Sequence, residues 1–284
     1  MKLPDNRVLS VVDEYRAQLA ARYPEGEVRA IVRMVFQERM GWDAAQLEVK
    51  RFESMSESEL LKVYLPLKRL VAGEPLQYVL GEVRFHGLTL LVDRRVLIPR
   101  PETEEMVDRI VRSGLAPSRI TDIGTGSGCI ALAMKHAFPK AEVVAIDSDQ
   151  GALGVARTNG RRTGLQVEWE LGDAMKDGFP QGSFDLVVSN PPYIPVEHAG
   201  SMAAEVLDHE PHLALFVPDD DPLCFFQAIG IWALGSLRPG GALWFETHHD
   251  QARPVMELLL GFGFSNVEVI LDLSGKERFV HALR

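Results

Sequence analysis

Alternating strand and helix patterns begin at Ile120 and continue towards the C-terminal end, and they constrain the fold more than any other feature of the chain. Such alternation is typical of an α/β protein with a doubly wound, mostly parallel sheet. The last two predicted strands are joined by too few residues for a parallel crossover, so we expect the last strand to be antiparallel. The predicted strands start at Ile120 and then lie at Glu142–Ile146, Gln166–Leu171, Phe184–Ser189, Gly241–Glu246, Val267–Leu271 and Arg278–Ala282.

A glycine-rich segment, Gly124-Thr125-Gly126-Ser127-Gly128, lies between the first of these strands and a helical pattern at Cys129–Phe138. Glycines allow positive φ angles and a close approach of the backbone to a ligand, and the helix that follows offers free N–H groups. Dinucleotide-binding dehydrogenases use the spacing G-x-G-x-x-G. Cys129 stands at the third glycine position of that spacing, which disfavours a dehydrogenase.

Acidic residues follow the next two predicted strands. Asp147 ends the second strand, where a carboxylate can bind both hydroxyls of a ribose, although Asp is also a common helix N-cap. The third strand is followed by Gly172, Asp173 and Ala174, where the edge of an adenine would lie. Because ligands of such sheets bind outside the carboxyl ends of the strands, these residues and the glycine-rich segment predict a nucleotide site.

The segment Asn190-Pro191-Pro192-Tyr193 directly follows the predicted strand Phe184–Ser189. An Asn side-chain oxygen can accept one N–H of a planar amine, and the Pro191 carbonyl can accept the second. Pro192 restricts Pro191 to an extended conformation, which fixes the direction of that carbonyl. The ring of Tyr193 can pack on the flat group that carries the nitrogen. A strand end with a packed tyrosine would use the same residues, but the neighbouring nucleotide site favours binding of an amine.

These motifs resemble those of class I S-adenosylmethionine-dependent methyltransferases that modify an amino nitrogen. Within that group the chain resembles the release-factor glutamine N5-methyltransferases, over roughly residues 65–284. Further segments carry the resemblance. Among them are Gly-Glu-Pro-Leu-Gln-Tyr at residues 73–78 and, as the second segment, Val-Leu-Ile-Pro-Arg-Pro-Glu-Thr-Glu at residues 96–104. Others are Glu210-Pro211 with Ala214-Leu215, and Asp272 to Arg278. The second segment in combination with Asn190-Pro191-Pro192-Tyr193 is highly specific for the family.

The resemblance implies a seven-stranded methyltransferase sheet, with S-adenosylmethionine as cofactor and S-adenosylhomocysteine as product. It implies methyl transfer to the side-chain amide nitrogen, N5, of the glutamine in the Gly-Gly-Gln motif of peptide-chain release factors. The implied catalytic residues are Asn190, Pro191 and Tyr193, which together with Pro192 also bind the substrate. The implied cofactor-binding residues are Gly124, Thr125, Gly126, Ser127, Gly128, Asp147, Asp173, Ala174 and Asn190.

The chain is predicted to have three regions. Residues 1–75 carry helical patterns, with Asp43 and Ser56 as N-caps, and are expected to form a small domain that recognises the protein substrate. Residues 76–100 are predicted to be a β-hairpin linker, and residues 101–284 the methyltransferase domain. Arg100, Glu102 and Thr103 match a family motif near the cofactor site. Pro-Glu-Thr-Glu is also a favourable helix start, so the role of these three residues stays open.

Composition excludes several classes of function. The net charge of −10 argues against broad nucleic-acid binding, which depends on Lys and Arg contacts with phosphate. No apolar run approaches the roughly 20 residues of a membrane span, and residues 1–6 lack the apolar core of a signal peptide. The only cysteines are Cys129 and Cys224, so we expect no disulfide framework and a reducing cytoplasm as the compartment. We expect a monomer.

Two other functions stay open. Adenine-N6 nucleic-acid methyltransferases bind the same planar amine with a similar tetrapeptide, although they would need a target-recognition domain and a basic cleft, and neither is evident from the sequence. A nucleotide-binding module without catalysis is disfavoured by the intact Asn190-Pro191-Pro192-Tyr193 segment. A metal site is not expected at His248-His249-Asp250, because adjacent side chains on a strand point to opposite faces.

Overall fold

The computed structural model describes residues 4–176 and 178–284, so residues 1–3 of the predicted helical domain and Asp177 lie outside the described part. The chain forms two compact units. One unit contains the described residues up to Gly81 together with Ala204–His209, and the other contains Glu82–Ala203 and Glu210–Arg284.

The first unit is a helical domain whose helices pack apolar side chains against one another. Their side chains share a single core that includes Val11, Tyr15 and Phe36. The predicted N-caps Asp43 and Ser56 are confirmed, and each forms a reciprocal capping box with the residue three positions later. The helices are α1 (Val8–Leu19), α2 (Glu25–Met40), α3 (Ala44–Val49), α4 (Glu57–Val71) and α5 (Leu76–Leu80).

Helix α5 places the end of the first unit at Gly81, whereas the sequence analysis placed a boundary at residue 75. The side chains of Val79 and Leu80 are buried in the helical core. The carbonyl oxygens of the same two residues accept hydrogen bonds from Arg39 at 2.7 and 3.1 Å. These contacts join α5 to the helices before it.

The second unit is built on a seven-stranded sheet, which confirms the predicted fold class. It begins with the antiparallel hairpin β1 (Glu82–Phe85) and β2 (Leu88–Leu91), whose Phe85 and Leu90 are buried in the core of this unit. The other strands are β3 (Arg119–Ile123), β4 (Glu142–Asp147), β5 (Glu168–Leu171), β6 (Phe184–Ser189), β7 (Ile194–Pro195), β8 (Phe216–Val217), β9 (Leu237–Glu246), β10 (Ser265–Leu271) and β11 (Glu277–Leu283).

The strand order of the large sheet is β10-β11-β9-β6-β3-β4-β5. Neighbours from β9 to β5 are parallel, and β11 is antiparallel to both β9 and β10, as the short connection predicted. Strand β3 pairs with β4 on one side and β6 on the other. The chain passes from β3 to β4 and β5 on one side and then returns to β6 on the other side. The carboxyl ends of β3 and its neighbours therefore border a crevice of the kind that binds ligands in doubly wound sheets.

Both faces of the sheet are covered, and alternate residues of each central strand enter different cores. In β4, Val143 and Ala145 join the core that contains α6 and α7, whereas Val144 and Ile146 join the core that contains α10 and α11. The helices of this part of the chain are α6 (Pro101–Arg112), α7 (Cys129–Ala137), α8 (Gln150–Thr163), α9 (Ala204–His209, in the first unit), α10 (Cys224–Ser236) and α11 (Ala252–Phe262). No helix of the described residues has the length and apolarity needed to cross a membrane.

Candidate active site

A cavity of about 370 Å³ lies at the carboxyl ends of the central strands. Its volume falls within the range of small-molecule and cofactor sites. Each of four consecutive parallel strands contributes lining residues at or just after its end. These are Gly124 and Gly126 after β3, Asp147 in β4, Asp173 and Ala174 after β5, and Asn190, Pro191 and Pro192 after β6.

Gly124 and Gly126 bring the backbone to the edge of this cavity. Their φ angles are +76° and +54°, and a Cβ atom added to either glycine would meet no atom within 4 Å. The open space beside them therefore belongs to the cavity rather than to protein packing. The Gly126 N–H donates a hydrogen bond of 2.8 Å to Asp147, which connects the glycine loop with the end of β4.

The other members of the glycine-rich segment do not line the cavity. Thr125 is buried and its hydroxyl donates to Asp122 at 2.6 Å. Ser127 is also buried, and its carbonyl accepts a hydrogen bond from Asn159 at 2.9 Å. Gly128 is close-packed, because a Cβ atom there would lie 2.8 Å from the Trp169 ring. These residues hold the shape of the loop from behind.

The Asp147 carboxylate organises the ends of two loops. Its two oxygens accept hydrogen bonds from the backbone N–H groups of Gly126 at 2.8 Å and Asp149 at 2.9 Å. Burial raises its pKa, and these backbone hydrogen bonds oppose the rise. A carboxylate oxygen can accept more than one hydrogen bond, so the side chain keeps acceptor capacity for a ligand in the cavity.

Asp173 and Ala174 also line the cavity, and the surroundings of Ala174 are apolar. The Asp173 carboxylate pairs with Lys176 at 2.9 Å, and this hydrogen bond lowers its pKa. Ala174 packs against the core formed by α10 and α11. Apolar side chains of Ile146, Phe225 and Ile229 border the same region. This combination suits a flat apolar ring with polar edges.

Asn190 presents one end of its amide to the protein and leaves the other end without a protein partner. Its Nδ2 donates to the Thr103 hydroxyl at 3.1 Å. Its Oδ1 and the Pro191 carbonyl accept no hydrogen bond from the described residues, and both residues line the cavity. Two hydrogen-bond acceptors are therefore available at the end of β6.

Tyr193 belongs to the same segment but does not line the cavity. Its carbonyl accepts a hydrogen bond from Gln251 at 2.9 Å, and its ring lies 6.3 Å from the ring of His248, measured between centroids. Burial raises the pKa of the Tyr193 hydroxyl, so the phenol stays protonated.

Behind Asn190, Thr103 donates a hydrogen bond of 2.6 Å to the carboxylate of Glu246 at the end of β9. Thr103 and Glu246 are both buried. Burial raises the pKa of Glu246 to about 7, whereas Thr103 and Arg278 favour its charged form.

The segment before α6 is held by Glu210, which accepts hydrogen bonds from the Ile98 N–H at 3.1 Å and from Arg100 at 2.7 Å.

The cluster of His248, His249 and Asp250 follows β9 instead of lying within it. The two imidazole rings lie 4.1 Å apart, so the strand-based argument about opposite faces does not apply to them. One potential ligand atom from each of the three residues lies within 4.8 Å of the others. The absence of a metal therefore stays a prediction.

Comparison with known proteins decides the family. A family model described as "PrmC N-terminal domain" matches residues 10–81, and one described as "Methyltransferase domain" matches residues 120–209. A release factor glutamine methyltransferase of Bacteroides thetaiotaomicron is 38% identical, over 98% of this chain and 100% of the relative. One of Chlorobaculum tepidum is 37% identical, over 97% and 98%. The chain belongs to the release factor glutamine methyltransferase family.

Comparison with solved structures shows that the second unit has the fold of a methyltransferase. A 16S rRNA methyltransferase of T. thermophilus in complex with AdoMet and guanosine superposes with a TM-score of 0.52 at 18% identity, covering 72% of this chain and 49% of that one. At this identity the likeness concerns the fold alone. The activity follows from the family: the protein is a methyltransferase.

For this member of the release factor glutamine methyltransferase family, several parts of the site were not predicted from the sequence, among them Phe225 and Ile229 of α10. Glu246 had no predicted role, although an acidic residue that ends an apolar strand was a usable signal. The lining positions of Arg95, Val96 and Leu97, in the segment after the hairpin, were not predicted either. That segment has no periodic pattern from which its position could be predicted.

Proposed function

We propose that the protein methylates the side-chain amide nitrogen, N5, of the glutamine in the Gly-Gly-Gln motif of peptide-chain release factors. The observation that carries this proposal is the pair of free acceptors at the end of β6, Asn190 Oδ1 and the Pro191 carbonyl. A primary carboxamide has two N–H hydrogens in one plane, and two acceptors match them. The names of the relatives support a release-factor glutamine as the group that brings this amide.

We propose S-adenosylmethionine as the cofactor, because the cavity has the features that this molecule requires. Gly124 and Gly126 leave open space beside the backbone, Asp147 has acceptor capacity for ribose hydroxyls, and the apolar region near Ala174 suits an adenine. The bound cofactor would supply an electrophilic methyl group on a sulfonium. In this proposal Thr125, Ser127 and Gly128 contribute by shaping the loop, because they do not reach the cavity.

Asn190 and Pro191 would bind and orient the substrate nitrogen. An amide nitrogen is a weak nucleophile because its lone pair is delocalised into the carbonyl, so orientation matters more than a strong base. Holding the reacting atoms in line can lower the barrier by about 7–11 kcal/mol in favourable cases. Both acceptors also stabilise the positive charge that develops on nitrogen, so they bind the transition state more tightly than the ground state. The alkylated amide is strongly acidic and can release its proton to water.

We further propose that the helical unit recognises the body of the release factor. A groove of about 180 Å³ lies between α1, α2 and α3, with an apolar floor that includes Val12 and Leu47. Four arginines line it: Arg16, Arg29, Arg33 and Arg51. Three of them pair with a carboxylate of the same unit, while Arg33 has no ion pair among the described residues. This surface suits an acidic segment with apolar side chains.

Arg33→Glu tests this surface against Lys62→Glu, a charge reversal at an exposed position on α4 outside the groove. We expect Arg33→Glu to raise the KM for intact release factor by ~10-fold, which corresponds to about 1.4 kcal/mol. It should leave the KM for a short Gly-Gly-Gln peptide unchanged. Equal effects of the two variants on intact release factor would remove the groove from substrate recognition.

The compartment proposed is the reducing cytoplasm, where Cys129 and Cys224 would stay as the free, buried thiols found here. The methyl transfer itself is tested by incubating the protein with methyl-labelled S-adenosylmethionine and either release factor or double-stranded DNA. We expect label on the glutamine of the release factor and none on DNA. Label on adenine would favour the adenine-N6 alternative and contradict the proposal.

A further inference from the structure

The Asn190 amide could face the cavity with either of its two ends. Only the oxygen end can accept an N–H of an amine, and the nitrogen end would place two donors against each other. In the structure the nitrogen end points to Thr103, at 3.1 Å, so the oxygen end is left for the cavity. The question is which residues impose this choice.

The hydroxyl of Thr103 has a single hydrogen, and that hydrogen already takes part in the hydrogen bond to Glu246. Thr103 Oγ1 lies 2.6 Å from Glu246 Oε2, a short distance typical of a hydroxyl that donates to a charged carboxylate. An ionised carboxylate only accepts hydrogen bonds, so the hydrogen must lie on this bond. Thr103 can therefore offer only a lone pair to Asn190, and only the NH₂ group of Asn190 can use it.

We infer that Thr103 and Glu246 are positioning residues, which hold the Asn190 amide with its oxygen towards the substrate amine. This inference rests on the proposed transfer to an amide nitrogen. It gives a role to Glu246, a buried acidic residue that does not itself line the cavity. It also assigns a task to the threonine of the first turn of α6, for which a helix-start role was the local alternative.

The charge on Glu246 is the part of this arrangement that pH can change. Hydrogen bonds from Thr103 and from Asn190 itself, together with Arg278 on β11, favour the charged carboxylate, while burial and Glu102 on α6 oppose it. The Cys129 thiol and the Tyr193 phenol also lie within its electrostatic reach. Protonation would give Glu246 a hydrogen of its own. Thr103 could then donate to Asn190 instead, and the amide would lose its single orientation.

Three threonine variants test the inference in the full-length protein. Thr103→Val removes the hydroxyl but keeps the shape, and Thr103→Ser keeps the hydroxyl. Thr121→Val is the matched control, because the Thr121 hydroxyl is buried in β3 and has no hydrogen-bond partner among the residues that the structure describes. Calorimetric titration with S-adenosylmethionine serves as the check that each variant is folded and has an intact cofactor site.

We expect Thr103→Val to lower kcat for release factor by about 10–100-fold, by analogy with the loss of a hydrogen-bond partner that orients a metal ligand. Cofactor affinity should not change, Thr103→Ser should recover most of the rate, and Thr121→Val should match the unaltered protein. The kcat of the unaltered protein should fall as the pH is lowered through the pKa of Glu246, about 7. Thr103→Val should weaken this dependence, because only the hydrogen bond between Asn190 and Glu246 then remains.

Unaltered kcat in Thr103→Val, or an unchanged pH profile in that variant, would overturn the inference while leaving the proposed function intact. Failure of the unaltered protein to methylate release factor at any pH would instead contradict the proposed function. A kcat loss in Thr103→Ser as large as in Thr103→Val would also overturn the inference, because the lost rate would then not depend on the hydroxyl.

Discussion

Replacing Gly128 by alanine should destabilise the protein much more than replacing Gly126, although both glycines belong to the same loop. Gly128 has a φ of +82°, and an added Cβ would lie 2.8 Å from the Trp169 ring and 3.2 Å from Ala156. Gly126 has a φ of +54°, and its added Cβ would meet no atom within 4 Å. Backbone strain is therefore common to both variants, while steric overlap occurs only at Gly128.

The expected magnitudes follow from these two contributions. A left-handed backbone costs a residue with a side chain about 1–2 kcal/mol, and overpacking a filled core costs about 1–3 kcal/mol. Gly128→Ala should therefore lower the free energy of unfolding by about 2–5 kcal/mol, and Gly126→Ala by about 1–2 kcal/mol. Total stabilities are typically about 5–15 kcal/mol, so the difference is measurable by urea unfolding followed by circular dichroism.

The two variants should differ in cofactor affinity in the opposite sense, with the larger loss in Gly126→Ala. The Cβ of Gly126→Ala would enter the cavity, so its affinity for S-adenosylmethionine should fall more than that of Gly128→Ala, as measured by calorimetry below the unfolding transition. Equal destabilisation of the two variants, or weaker cofactor binding in Gly128→Ala than in Gly126→Ala, would refute the division of this loop into a cavity side and a packing side.

Three further predictions concern single side chains of the second unit. Asn190→Ala should lower kcat for release factor by ~10²–10³, the loss typical of removing one preorganised hydrogen-bond partner of a transition state, with cofactor affinity unchanged by calorimetry. Asp147→Ala should weaken cofactor binding by about 1.5–3 kcal/mol. Asp173→Ala should weaken cofactor binding less, because the Asp173 carboxylate already pairs with Lys176. Burial raises the pKa of Asp122 to about 7, so between about pH 4 and that value the folded state holds a proton that the unfolded state releases. The free energy of unfolding should therefore fall as pH rises through this window, and Asp122→Asn should flatten the dependence in urea titrations at several pH values.

Much of the sheet could be predicted from the sequence because its signals are local. Strand β6 appears as a continuous apolar run, and the short connection between β10 and β11 excludes a parallel crossover. Residues at the ends of parallel strands meet at one edge whatever the details of packing. Asp147 and Asn190 could therefore be placed beside the same cavity before the structure was known.

Other parts of the site depend on contacts between distant segments, which no local pattern reveals. Gly126 and Gly128 look equivalent in the sequence, and only the position of Trp169 on β5 separates their roles. Asn190 and Thr103 are 87 residues apart, and Thr103 and Glu246 are 143 apart. Their hydrogen bonds exist because α6 and the ends of β6 and β9 meet in the folded sheet. The positions of His248 and His249 likewise depended on the exact end of β9.

The most direct test of the account is a crystal structure of the protein with S-adenosylhomocysteine and a peptide that contains Gly-Gly-Gln. The account predicts that the glutamine NH₂ group donates to both Asn190 Oδ1 and the Pro191 carbonyl, each at roughly 2.7–3.2 Å, with its nitrogen facing the sulfur of the cofactor product. A glutamine held by other residues, or an Asn190 whose NH₂ end faces the peptide, would contradict it.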